Sequence, residues 1–205
     1  VAEQHWVEVD GLVLPRPVAG HPALELVNTF SGWDGTHASD YLETYDHLAV
    51  LAGELDLLPA GDVQRLRRAA HRQPEAAAAA LERACTVRAV IRDAALDPSD
   101  GEAVGALTVA TRSAATGVQL VPGHPARWRV QGISPDDLDR PSDAFAWVAA
   151  DLVTRPEVAR VRACPGLGCG WVFLDTSGRR RWCSMAWCGN RAKVRAHAER
   201  TRSRR

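Results

Sequence analysis

The stretch CPGLGCGWVFLDTSGRRRWCSMAWCGNRAKVRAH, residues 164–197, holds two equal cysteine pairs, Cys164-x4-Cys169 and Cys183-x4-Cys188, separated by thirteen residues. Two short cysteine loops set this far apart are how a chain gathers four thiolates into a closed tetrahedron around Zn²⁺. Disulfides are the rival reading. The spacing and a cytoplasmic setting favour metal over them. One structural zinc on Cys164, Cys169, Cys183 and Cys188 is therefore expected. Catalysis by it is not, because four cysteines leave no open coordination position.

Working outward from the metal ligands, Pro165, Gly166, Gly168 and Gly170 surround the first pair, and glycine lets such a loop fold back tightly. Residues 171–174 (WVFL) and 180–182 (RRW) flank a Thr-Ser-Gly turn and are expected to pair as a short hairpin. A helix is expected from about residue 190 to residue 200. Knuckle, hairpin and helix in that order resemble a treble-clef zinc finger. A zinc-ribbon-like geometry stays open, since four residues within each pair exceed the usual two.

Charge divides the chain in the same place. Lys plus Arg and Asp plus Glu are 25 each, yet residues 1–154 hold 12 basic and 22 acidic side chains, and residues 155–205 hold 13 and 3. The first part therefore carries −10 and the second +10. Two modules with different partners are implied, the first ill suited to a polyanion and the second drawn to one. We place the division at 1–154 and 155–205. A C-terminal unit this small needs a staple, and zinc supplies it. No apolar run is long enough to span a bilayer, and residues 1–22 lack a signal-peptide pattern, so a cytoplasmic protein without a membrane partner is expected.

Residues 1–154 read as mainly helical. Leu24 and Val27 fall on one face of a helix over residues 22–30, with Pro22 in its first turn. After the loop SGWDGTHAS, Ser39 or Asp40 is expected to cap a second helix ending near Leu58. Further helices are expected over residues 62–72, 75–96, 99–116 and 141–154. One hairpin, from residues 118–121 and 128–130 flanking GHPA, is the only sheet signal. Cys85 reads as a small buried apolar residue within the 75–96 helix.

With those motifs in view, Cys164 to His197 resembles the CGNR zinc finger, a bacterial module named for the residues that stand here as Cys188 to Arg191. The string GHPALELVNTF at 20–30 resembles the opening of ABATE, the helical domain paired with that finger. The resemblance implies a mainly α chain with a minor hairpin, a C-terminal four-cysteine finger, and a role in stress-induced transcriptional regulation.

Such a role requires a nucleic-acid surface. Phosphate contacts are expected from Arg179, Arg180 and Arg181 in the hairpin turn and from Lys193, Arg195, Arg200 and Arg202 on the helix, with Arg191 beside them. Arginine's planar fork also suits guanine in the major groove. Arg204 and Arg205 extend the basic tail. Arg181 and Arg191 have a second reading, as cations that offset the tetrathiolate charge. A solvated terminal helix is the plain alternative for the rest. RNA is the less favoured partner, since Trp171, Phe173, Trp182 and Trp187 are expected to build a mini-core around the metal and not to stack on bases.

In the helical domain, His21, Glu25, Asn28 and Thr29 fall within two turns and could line a small-molecule pocket. The structural reading is favoured over it: His21 and Glu25 as a surface pair, and Asn28 as a satisfied core amide or a helix end. A nucleophile with an adjacent base, or a second metal cluster, would mark an enzyme. Neither is visible, and the seven histidines are scattered. The expectation is a non-enzymatic regulator whose helical domain senses an effector, forms a homodimer, or both.

Overall fold

The computed structural model describes residues 4–33 and 35–202. It opens with an antiparallel hairpin that the sequence reading did not anticipate, β1 (Trp6–Val9) against β2 (Leu12–Pro15). Asp10 and Gly11 join the strands at φ 52° and 76°. Positive φ at both central residues is what a two-residue type I′ turn demands, and Asp-Gly adopts it readily.

Helix α1 (Pro22–Val27) follows. His21 caps it by accepting from the Ala23 N–H through Nδ1 at 3.2 Å. The helix is shorter than expected. It ends at Asn28, and the chain passes into β3 (Phe30–Ser31), paired with β4 (Ser39–Asp40). Asp40 therefore caps no helix: its carboxylate forms a two-pronged pair with Arg88, both contacts at 2.7 Å. A buried guanidinium makes a stronger claim on a carboxylate than a helix end does. Helix α2 (Tyr45–Glu54) accordingly begins only after Thr44.

Four longer helices complete the bundle: α3 (Ala60–Arg72), α4 (Pro74–Leu96), α5 (Gly101–Thr116) and α6 (Arg140–Val153). Asp100 caps α5 by accepting from the N–H groups of Glu102 and Ala103. Hairpin β5 (Val118–Val121) with β6 (Arg127–Val130) stands where the sequence placed it. The mainly α fold with minor hairpins agrees with expectation. Helix α1 packs against α4 and α6, with Leu24, Leu26 and Val27 completely enclosed. No helix among the described residues is long and apolar enough to cross a membrane.

A 3-10 turn (Pro156–Arg160) leads into β7 (Val161–Ala163), antiparallel to β8 (Val172–Leu174). This corrects the expected finger hairpin. Strand β8 pairs backward across the first cysteine loop with 161–163, and residues 180–182 form no strand. A single π-helical turn (Met185–Gly189) then starts α7 (Asn190–Arg202). Arg204 and Arg205 lie outside the described residues.

The alternation along β8 decides how the parts join. Val172 belongs to the helical core, together with Val158 and Val161, whereas Trp171 and Phe173 pack with the four cysteines. Successive strand residues face opposite ways, so one short strand is a wall of two cores.

Candidate metal centre and basic face

Cys164 and Cys169 are fixed at either end of the glycine loop. The Cys164 N–H donates to the Trp171 carbonyl at 2.7 Å and the Cys169 N–H to the Gly166 carbonyl at 3.0 Å. Gly166 has no room for a side chain, since a Cβ there would lie 2.9 Å from the Cys188 sulfur. Cys183 precedes the π turn and Cys188 lies within it. All four residues are buried, and their sulfurs lie within 4.8 Å of one another. Cys169 Sγ to Cys183 Sγ is 3.7 Å, and Cys183 Sγ to Cys188 Sγ is 3.5 Å. A tetrahedron of Zn–S bonds near 2.3 Å has edges of about 3.8 Å, so the cage has the right size. The four cysteines hold one structural zinc ion.

The protonation chemistry fits the same assignment. Hydrogen bonding from the neighbouring thiols, Cys164 first, drives the Cys188 thiol far below its ordinary range. Cys164 is lowered to about 7, chiefly through its hydrogen bond with Cys169. Cys169 and Cys183 are pushed up, in each case first by Cys164. Four sulfurs this close cannot all ionise by themselves, and a divalent cation is what permits it. Arg191 adds a second source of positive charge, with Nη2 donating to Cys188 Sγ at 3.0 Å.

Asn28 is fully enclosed at the joint with the finger. Its Nδ2 donates to the Val172 carbonyl at 2.9 Å, and its Oδ1 accepts from the Val172 N–H at 2.8 Å. Glu25 accepts from three backbone N–H groups, those of Val18, Ala19 and Gly20, at 3.1, 2.7 and 3.2 Å. Burial raises its carboxyl pKa, and those N–H groups pull it back. The loop so shaped receives the finger: the Leu174 N–H donates to the Ala19 carbonyl at 2.8 Å. Thr29 donates to the Leu26 carbonyl and accepts from Arg88 at 2.8 Å. His21 Nδ1 and the polar groups of Glu25, Asn28 and Thr29 are thus met by protein partners that cap α1, shape its entry loop and close the joint.

The eight candidate phosphate ligands divide into two groups. Arg191 is engaged by the metal cage. Arg180 donates to the carbonyls of Val18 at 2.6 Å, Trp182 at 3.0 Å and Cys183, and lies 4.4 Å over the Phe173 ring. The charged groups of Arg179, Arg181, Lys193, Arg195, Arg200 and Arg202 are exposed and pair with no other described residue. The sequence reading missed the residue that shapes the arginine turn. Asp175 accepts from Ser177 Oγ at 3.0 Å and from the Arg180 N–H at 3.2 Å. The string Asp-Thr-Ser-Gly was the available signal, since Asp readily accepts from backbone a few residues ahead.

Two family models match this architecture. Residues 160–201 match the CGNR zinc finger. Residues 20–156, more than half of the chain, match the ABATE model, whose description is "Putative stress-induced transcription regulator". The chain belongs to the ABATE family. The order of the two units is the one the opening and closing motifs implied. No curated protein is similar enough to match. Within ABATE terms, GHPALELVNTF is the segment that receives the finger: Glu25 orders its approach and Asn28 its contact with β8.

Proposed function

We propose that this ABATE chain is a bacterial, cytoplasmic DNA-binding regulator of transcription, with a purely structural zinc and no catalytic role. The finger docks on duplex DNA, and the helical domain senses an effector, pairs with a second copy, or both. The carrying observation is the division among the basic residues. Six cations on the arginine turn and α7 are exposed and pair with no other described residue, on elements anchored to the metal cage. Like charges at helical spacing repel one another, and a polyanion converts that repulsion into attraction while releasing counterions. A closed tetrathiolate shell offers no site for water or substrate, which supports the non-catalytic reading.

The test is binding of the zinc-loaded protein to duplex DNA of random sequence across a salt series, with duplex RNA and single strands alongside. Affinity for duplex DNA should rise steeply as salt falls. The logarithmic slope should shrink by about 0.9 for each phosphate contact removed, as in Lys193→Gln. Absence of binding at every salt concentration would overturn the reading, and preference for single-stranded RNA would transfer it to another polymer.

A further inference from the structure

A cleft of about 800 Å³ opens between the helical domain and the finger, within the ~300–1,000 Å³ range of small-molecule sites. His5 and Tyr41 contribute from one side, and Trp171, Trp187, Arg191 and Arg195 from the other. Its surface is mostly apolar and aromatic. Trp187 stands edge-on between His5, with ring centres 5.9 Å apart, and Trp171, at 6.2 Å. Three zinc ligands also line the cleft, but the metal occupies only the gap between sulfurs ~2.3 Å away and leaves the remaining volume open.

One charged feature stands out against these walls. Arg191 is committed to the Cys188 sulfur, whereas the Arg195 guanidinium, one helical turn further on, pairs with no described residue. Flat apolar walls select a planar ring, and a guanidinium at their edge selects a carboxylate.

We propose that this cleft is the effector site and that it takes a small planar aromatic anion whose acid group pairs with Arg195. This rests on the regulator reading and gives its sensing step a place and a chemistry. Arg195 is also one of the cations offered to phosphate. A ligand acid group that occupies it removes a DNA contact, so effector and DNA weaken each other by the same factor.

The test is calorimetric titration of the full-length, zinc-loaded protein with benzoate, salicylate and indole-3-acetate, with benzamide as the uncharged counterpart and acetate as the ringless one. The aromatic acids should bind one per chain, with benzamide and acetate about tenfold weaker or worse. Arg195→Gln should cost the acids about tenfold and remove their advantage over benzamide. Ser39→Trp, from an exposed residue lining the cleft on β4, should block the site at unchanged zinc content. No heat from any aromatic acid at millimolar concentration overturns the proposal, as do equal affinities in wild type, Arg195→Gln and Ser39→Trp. None of these titrations contains DNA, so their outcome is separate from failure of DNA binding. Where both ligands bind, saturating aromatic acid should lower DNA affinity about tenfold, and unchanged affinity overturns the antagonism.

Discussion

Asn28 grips Val172, 144 residues away in the chain, through both ends of its side-chain amide, donating to the carbonyl and accepting from the N–H. A side chain thereby imitates a neighbouring strand, and it is one of the polar contacts that join helical bundle to finger. Asn28→Ala would leave both Val172 groups buried and unpaired, at a cost of about 2–4 kcal/mol. Asn28→Asp keeps the acceptor but sets an oxygen against the Val172 carbonyl, and should be at least as destabilising. Urea denaturation of the zinc-loaded proteins checks both.

Removal of the metal should be felt well beyond the finger. Cys188→Ser, or chelation of the wild type, releases zinc and with it the folding energy of the cage. Because Val172 is part of the helical core while its neighbours Trp171 and Phe173 line the cage, the loss should lower the melting temperature of the α-helical signal too. A helical transition unmoved by chelation would show the two cores to be independent. Circular dichroism with and without chelator makes the comparison.

Gly166→Ala tests the metal geometry without removing a ligand. The new methyl would meet the Cys188 sulfur at 2.9 Å, closer than real Cβ contacts allow, so the cage must open. Weaker zinc binding, by about tenfold or more, is expected in competition with a chromogenic chelator, while all four thiols remain present.

The basic residues should separate by role. Arg180→Gln removes three carbonyl contacts and the stacking on Phe173, so it should destabilise the folded chain by about 2–3 kcal/mol. Lys193→Glu together with Arg195→Glu should leave stability within about 0.5 kcal/mol and weaken DNA binding, with a flatter salt dependence. Denaturation and DNA titration on the same samples distinguish the two effects.

Much of this was readable in the residues. Cysteine spacing specified the metal cage, and apolar periodicity located the long helices. Local signals failed where a distant partner decided the outcome. Asp40 looks like a helix cap until Arg88 of α4 is brought against it. Residues 171–174 look like the first strand of a hairpin with the arginine turn, but β8 pairs with the more distant 161–163 once the cysteine loop has closed. The row Glu25, Asn28 and Thr29 carried a legible polarity with an illegible target, since nothing local says that a helix end will meet a strand from the far end of the chain. The Asp10-Gly11 turn between alternating apolar residues is a plain hairpin signal, and β1 and β2 pair across it.

The sharing of β8 between two cores has a consequence for synthesis on the ribosome. When residues 1–154 have emerged, the helices can form, yet Asn28 still lacks its partner and the bundle still lacks Val158, Val161 and Val172. That surface closes only when β8 has been translated, and zinc binding to the second cysteine pair should hold it closed. Availability of the ion should therefore set how long an unfinished nascent chain is exposed to proteases, which pulse-chase stability at limiting and replete zinc would check.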